Sequence, residues 1–437
     1  MTGLRSSPSL QEPSLRAKWS RILGSSILDQ ALLSAANFIV GLILIRYADD
    51  AQYGYYILMF NAVMLLTMLQ NSFTGTPLVI TLPKLSDPDK RYWVGSVYVD
   101  HWRVLIGLSV ILLVPACLLW WFKVLANEQS VLIVAAITAT IASLYREFFR
   151  NTLLIFQRPQ TVLKADLAYS GILTAGCFVA VLFPFAAAVA MAATALSAIV
   201  CGYMLWRWMR DLIDPHAPSG QLMKIAPIGL WAATGSGVYW LLNQGYSFIT
   251  AFTLDVAAVG ALAAARLLMM PINLVCTGVQ KQLTPAASHW LHSNGGRFTM
   301  QRLCRLALAM GAVVIAYTLL VWLLRDWIFL DLLRKDHAQR NELLLLWASI
   351  FFVKALRDPP MLILMLRQRF RLLTFSSLIC ASLALVLCYV LTGYLSTAGA
   401  LWGMLIGESI SLVLTLLFAW KESRAQSATP LNTTGVR

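Results

Sequence analysis

Charge is what this chain has least of. Only 12% of its 437 residues are Asp, Glu, Lys or Arg, against about 25% in soluble domains. With a mean hydropathy of +0.70, a soluble fold is excluded and an all-α polytopic membrane protein is expected. Catalytic signatures are also missing: no Walker lysine loop, no H-E-x-x-H, no G-x-S-x-G. Asp87-Pro88-Asp89 has the D-x-D form of metal-dependent glycosyltransferases, but no nucleotide-binding fold surrounds it. No loop exceeds about 25 residues, which leaves no room for an extramembrane catalytic domain. The chain is therefore not expected to be an enzyme. The seven cysteines (Cys117, Cys177, Cys201, Cys276, Cys304, Cys380, Cys388) include no C-x-x-C, and most lie inside apolar runs, where Cys packs as a small hydrophobe. His289 and His292 stand three apart with no further ligand type close by and read as surface histidines. No metal and no cofactor are expected.

What the chain does have is apolar runs, twelve of them. They read as two sets of six, with N-lobe spans 1 to 6 over 22–206 and C-lobe spans 7 to 12 over 223–420. A basic tail (1–21), a polar linker (207–222, with the breaker DPHAPSG) and a polar tail (421–437) complete the chain. Span 4 is read as Ser130 to Phe149, span 8 as Val256 to Val279, and span 10 as Leu343 to Leu366. Net charge is +14. The basic residues sit in short loops, so lipid headgroups and topology account for them and nucleic acid is not implied. Roughly 25 of the 34 Lys and Arg fall in the tails and the loops after even-numbered spans. The positive-inside rule then places both termini in the cytoplasm.

The two halves carry an internal repeat. Asn37 and Asn243, Asp49 and Asp255, and Gly54 and Gly260 are each 206 positions apart, close to half the chain. Six spans per half make the lobes parallel repeats, a pseudo-two-fold pair about the membrane normal. Polar residues of span 1 share one face (Gln30, Ser34, Asn37, Gly41), and span 7 repeats the pattern with Ser236, Trp240, Asn243 and Ser247. In lipid such a stripe points at another helix or at a wet cavity wall shared by the lobes.

Several charges lie inside the spans. Arg266 is eleven positions beyond Asp255, about 16 Å along the helix and near the membrane centre. A lone guanidinium there costs about 2.5 kcal/mol or more, and it cannot relieve that cost by losing its proton. In span 10, Lys354 and Arg357 share a face, Lys354 can pair with Asp358, and Pro359-Pro360 is expected to break the helix. Arg266, Lys354 and Arg357 would give the second lobe a cationic inner wall suited to phosphate oxygens. Asp29, Glu408 and Asp358 are the acids available to partner these cations or to bind a coupling proton or sodium ion.

The stretches DQALLSAANFIVGLILIRYADDAQYGYY (29–56) and LDVAAVGALAAARLLMMPINLVCTGVQKQLTPAAS (254–288) share one layout: a helix ending near an Arg or a short acidic turn, then Gly and a second helix. They resemble the start-of-lobe pattern of the multidrug/oligosaccharidyl-lipid/polysaccharide (MOP) flippase superfamily, specifically its bacterial polysaccharide-transporter branch. The resemblance implies a monomer in the bacterial inner membrane that rocks two lobes about a central cationic cavity. Its cargo would be a polyprenyl-pyrophosphate-linked oligosaccharide for surface polysaccharide. Membrane lipids and other polysaccharide-assembly proteins are its implied partners. Arg266 matches the basic position of the eighth span in relatives; Lys354 and Arg357 have no such match. The expected substrate-contacting set is Arg266, Lys354, Arg357, Gln30, Asn37 and Asn243. Two alternatives stand beside this one: a multidrug or organic-cation exporter of the same superfamily, and a membrane polysaccharide polymerase or glycosyltransferase. The last would need the short 9–10 loop as its active region.

Overall fold

The apolar runs become long helices. The computed structural model describes residues 15–424 apart from 83–84, 215 and 336–338; most of both predicted tails, and Asp336 in the 9–10 loop, lie outside the described residues. The first lobe holds α1 (Leu15–Tyr47), α2 (Asp50–Gln70), a π-helical turn (Asn71–Gly75), α3 (Thr76–Thr81), α4 (Asp87–Trp121), α5 (Asn127–Ile155), α6 (Pro159–Ala180) and α7 (Ala186–Met209). The second holds α8 (Gln221–Thr253), α9 (Val256–Leu323), a π-helical turn (Trp327–Leu332), α10 (Arg340–Leu366), α11 (Phe370–Leu395) and α12 (Thr397–Arg424). No strand occurs among the described residues.

Ten of these units are long and apolar enough to cross a membrane, with α2, the π turn and α3 counting as one. α9 supplies two crossings. Its backbone is helical throughout except at Gly295 (φ 81°, ψ 172°), and the Tyr317 hydroxyl donates to the Leu268 carbonyl at 2.7 Å, so its two arms lie side by side. α10 falls outside the ten because Lys354, Arg357 and Asp358 sit within it. Twelve crossings in two sets of six result.

Two expectations about the chain's breaks are corrected. The polar segment between spans 8 and 9 is not a loop. Gly295 makes the reversal alone, in the left-handed region that costs glycine nothing, and Gly296 packs so tightly on α12 that a Cβ would stand 2.4 Å from the Ser423 carbonyl oxygen. Nor does Pro359-Pro360 break span 10; α10 runs through both prolines to Leu366. Its packing against α9 and α12 holds the turn that has lost two donors, as neighbouring helices do in membrane proteins.

Within the first lobe α5 packs on α7, α6 on α7 and α1 on α6. α7 permits this through small buried residues, among them Ala187, Ala190, Ala195 and Ala198, which let backbones approach closely. In the second lobe α9 packs on α10, and α11 and α12 pack on each other. Exposed Val110, Ile111, Leu182, Leu323 and Tyr394 belong to the outer, lipid-compatible surface.

Candidate functional site

The lobes meet where the repeat residues fall. Asp49 caps α2 and Asp255 caps α9, their carboxylates accepting from the Ala51 and Ala258 amides at 3.2 and 2.6 Å. One turn on, Gly54 and Gly260 let the two helix starts touch. A Cβ on Gly54 would lie 1.9 Å from the Val256 carbonyl oxygen, and one on Gly260 2.5 Å from that of Asp50. Lys335 reaches across to Asp50 at 2.6 Å and to the Ala48 carbonyl at 3.1 Å, and Arg46 donates to the Leu332 carbonyl at 2.9 Å. The end of the bundle remote from the chain termini is therefore closed by lobe-to-lobe contacts.

The span 7 stripe is mostly part of this seam. Ser247 contacts Asn61 at 3.3 Å, Trp240 Nε1 donates to the Asn61 carbonyl at 3.2 Å, and Ser236 meets Ser72 at 2.5 Å. Asn243 turns the other way, into its own lobe, donating to the Tyr239 carbonyl at 2.8 Å and accepting from Lys354. Its repeat mate Asn37, like Gln30, is exposed on α1.

The second lobe gathers Lys354, Arg357 and Asp358 of α10 with Glu408 of α12. Arg357, 6% exposed, is ion-paired to the fully buried Glu408 and holds Asp358 through two N–H groups at 2.9 and 3.0 Å. Lys354 lies 3.5 Å from Glu408. The anticipated Lys354–Asp358 pair is thus replaced by Lys354–Glu408 and Arg357–Asp358, because Glu408 comes in from α12 between the two cations. Arg266 is different. Its guanidinium donates to Gln244 Oε1 at 2.5 Å and to the Tyr246 hydroxyl at 3.3 Å, and lies over the Trp347 ring at 5.2 Å. These partners are neutral, and Arg266 Nε is buried without one. Trp347 is fixed by its own N–H bond to the Leu262 carbonyl at 3.0 Å.

A second ionic cluster, in the first lobe, was not anticipated. Arg150 bonds Asp29 at 2.6 Å, Asp166 at 2.8 Å and Glu147 at 3.1 Å. Arg146 pairs with Asp166 and lies 3.9 Å over the Tyr169 ring. α5 continues to Ile155, which carries Arg150 into the bundle, whereas the sequence reading ended span 4 at Phe149, with Arg146 and Glu147 in its last turn and Arg150 just outside. One signal in the sequence marks them: Arg150 and Arg357 are 207 positions apart, almost the offset of the repeat. With every group ionised, this cluster has three carboxylates (Asp29, Glu147, Asp166) against two guanidiniums (Arg146, Arg150), and the second lobe has three cations (Arg266, Lys354, Arg357) against two carboxylates (Asp358, Glu408).

A cavity of about 620 Å³ opens toward the end that carries the termini. Asn71, Gly75, Thr76, Val79 and Ile80 line one side; Asn151, Leu154, Ile155 and Gln157 line the other. None of the six predicted substrate residues is among them. All nine lining residues belong to the first lobe, at the end of the bundle opposite the closed one.

No family model and no curated protein sequence matches this chain. Solved structures do. An inward-facing multidrug-resistance MATE transporter of the MOP superfamily superposes with a TM-score of 0.75 at 12% identity, covering 91% of this chain and 96% of its own. The lipid II flippase MurJ, in an inward closed conformation, superposes at 0.65 and 12% identity over 90% and 87%. A MOP transporter from Pyrococcus furiosus, described as having reversed binding-pocket polarity, gives 0.60 at 13% over 94% and 96%. The fold is that of the MOP transporters. Within the MOP fold, the seam of α2 with α8 and α9 separates two six-crossing lobes, and the ionic clusters sit one in each. These three matched structures are those of transporters and a flippase.

Proposed function

We propose that this protein is a flippase for polyprenyl-pyrophosphate-linked oligosaccharide, working by alternating access in the bacterial inner membrane with both termini cytoplasmic. One observation carries the reading: Arg266, deep in a span, is held by neutral groups only, with Nε unpartnered. Among the described deep cations, Arg146, Arg150, Lys354 and Arg357 each have a carboxylate within 4 Å. A guanidinium so placed offsets its burial by taking an anion, and its fork matches phosphate oxygens two at a time. The pyrophosphate of a lipid-linked sugar supplies that anion while its tail stays in the bilayer. MurJ, described as a lipid II flippase, shares the fold. Lys354 and Arg357 then act by setting the local field rather than by direct contact, and Asp29 and Glu408, each on a guanidinium, are poised to exchange partners when a coupling ion or the cargo arrives. The test is flipping of a fluorescent polyprenyl-pyrophosphate oligosaccharide in proteoliposomes by the Arg266→Ala variant at matched protein density. A tenfold or greater loss is expected; a wild-type rate overturns the role of Arg266.

A second reading, export of organic cations, is favoured by the surplus carboxylate of the first-lobe cluster and by the MATE-like fold. Its mark would be drug resistance on expression with surface polysaccharide unaffected.

A further inference from the structure

We infer that the 620 Å³ cavity of the first lobe is a subsite for the uncharged sugar portion of the cargo, distinct from the phosphate subsite at Arg266. The inference rests on the flippase reading above and names where the glycan goes. Polar groups on the cavity wall come from Asn71, Asn151, Gln157 and Thr76: three carboxamides and a hydroxyl. Carboxamides donate and accept at once, as sugar hydroxyls do, and they carry no charge that would draw a drug cation or a second phosphate. Val79, Ile80, Leu154 and Ile155 supply apolar surface between them, against which the C–H faces of a pyranose pack. The volume falls within the roughly 300–1,000 Å³ of small-molecule sites.

The wall is also preset. Asn151 donates to Asn71 Oδ1, and Asn71 Nδ2 faces Glu147 Oε1 at 3.5 Å. Glu147 is itself gripped by Arg150, which holds Asp29 of α1. This backing fixes which way the Asn71 amide points and leaves the Asn151 carbonyl oxygen, the Thr76 hydroxyl and the Gln157 amide for a ligand. The π turn that follows α2 brings Asn71, Gly75 and Thr76 onto the cavity side. Along the bundle axis, Asn71 lies 21 residues past the start of α2 and Arg266 ten past the start of α9. At 1.5 Å per residue their depths differ by about 16 Å, a span that a short oligosaccharide bridges and a single ring does not.

The experiment measures binding of two probes to the full-length protein in nanodiscs: bare polyprenyl pyrophosphate, and the same lipid bearing a neutral oligosaccharide. Wild type is expected to bind the glycosylated lipid at least tenfold more tightly. Asn151→Leu and Thr76→Val, each close to isosteric, should erase that preference and leave binding of the bare lipid unchanged. Arg266→Ala should weaken both probes alike. No preference in wild type, or a preference retained in both cavity variants, overturns the sugar subsite. Equal loss of both probes in the cavity variants also overturns it, since that is the result of a merely structural role. An Arg266→Ala variant that binds both probes normally overturns the flippase reading instead.

Discussion

Giving Gly54 a side chain should prop the closed end open. The Cβ of Gly54→Ala would stand 1.9 Å from the Val256 carbonyl oxygen. Ordinary C···O contacts are about 3.3 Å or longer, so the α2 and α9 backbones must separate by roughly 1.4 Å. Neither partner is the flexible tip of a side chain; both are helix backbone, and the strain falls on the contact between lobes. Overpacking of this kind costs about 1–3 kcal/mol, which changes the ratio of closed to open states by roughly 5- to 150-fold. Because the clash exists only while this end is shut, the open state escapes it. The readout is maleimide labelling, from the non-cytoplasmic face, of a cysteine placed at Ala48, which is 8% exposed here, in a background lacking the exposed Cys117. Labelling should accelerate at least fivefold in Gly54→Ala and again in Gly54→Ala/Gly260→Ala. Gly107→Ala is the control: nothing lies within 4 Å of its Cβ, and labelling should not change. Unaltered labelling in Gly54→Ala, in protein that is folded and inserted, would refute the argument that these glycines shut the end.

Three further outcomes are expected. Glu408→Gln leaves Arg357 buried with a weaker partner and should lower stability by about 3 kcal/mol, read as an earlier thermal transition in detergent, whereas the double variant Arg357→Met/Glu408→Leu should regain much of the loss. Lys335→Ala removes a partly buried latch to Asp50, so its effect on the Ala48 cysteine labelling should stay within about fivefold, below that of Gly54→Ala. Asp29→Asn leaves Arg150 held by Glu147 and Asp166; the protein should remain folded by size-exclusion chromatography, while α1 loses its tie to α5 and transport slows severalfold.

The lobes, the twelve crossings and the repeat were legible because lipid forces long apolar runs and a duplicated chain repeats its caps and its glycines. Gly54 and Gly260 were visible as a matched pair, but nothing in their spacing says that they touch backbone across a seam. Arg150 was read as lying outside span 4, and Arg146 and Glu147 as its last turn, for a physical reason. Five residues in every ten around them are polar or charged, so hydropathy ends the span there, although ion pairing with Asp166 and Asp29 lets the helix continue to Ile155. The converse holds at Pro285 and at Ser293-Asn294-Gly295-Gly296, whose composition reads as a loop; partners on α12 and the single reversal at Gly295 keep the rest helical. Partner choice around Arg357 was likewise out of reach, since Glu408 arrives from a helix about fifty residues away.

The lobes hold matching guanidiniums, Arg150 and Arg357, yet the acids around them differ in origin: α1, α5 and α6 on one side, α10 and α12 on the other. With every group ionised, the surplus is negative in one cluster and positive in the other, which in a flippase would lay a transverse dipole across the cargo's path. A headgroup with its charge at one end and none at the other would be turned before it is gripped, always presenting the same end to the same half. Under the proposed flippase reading, loading in a single orientation would then follow from where these five acids were placed.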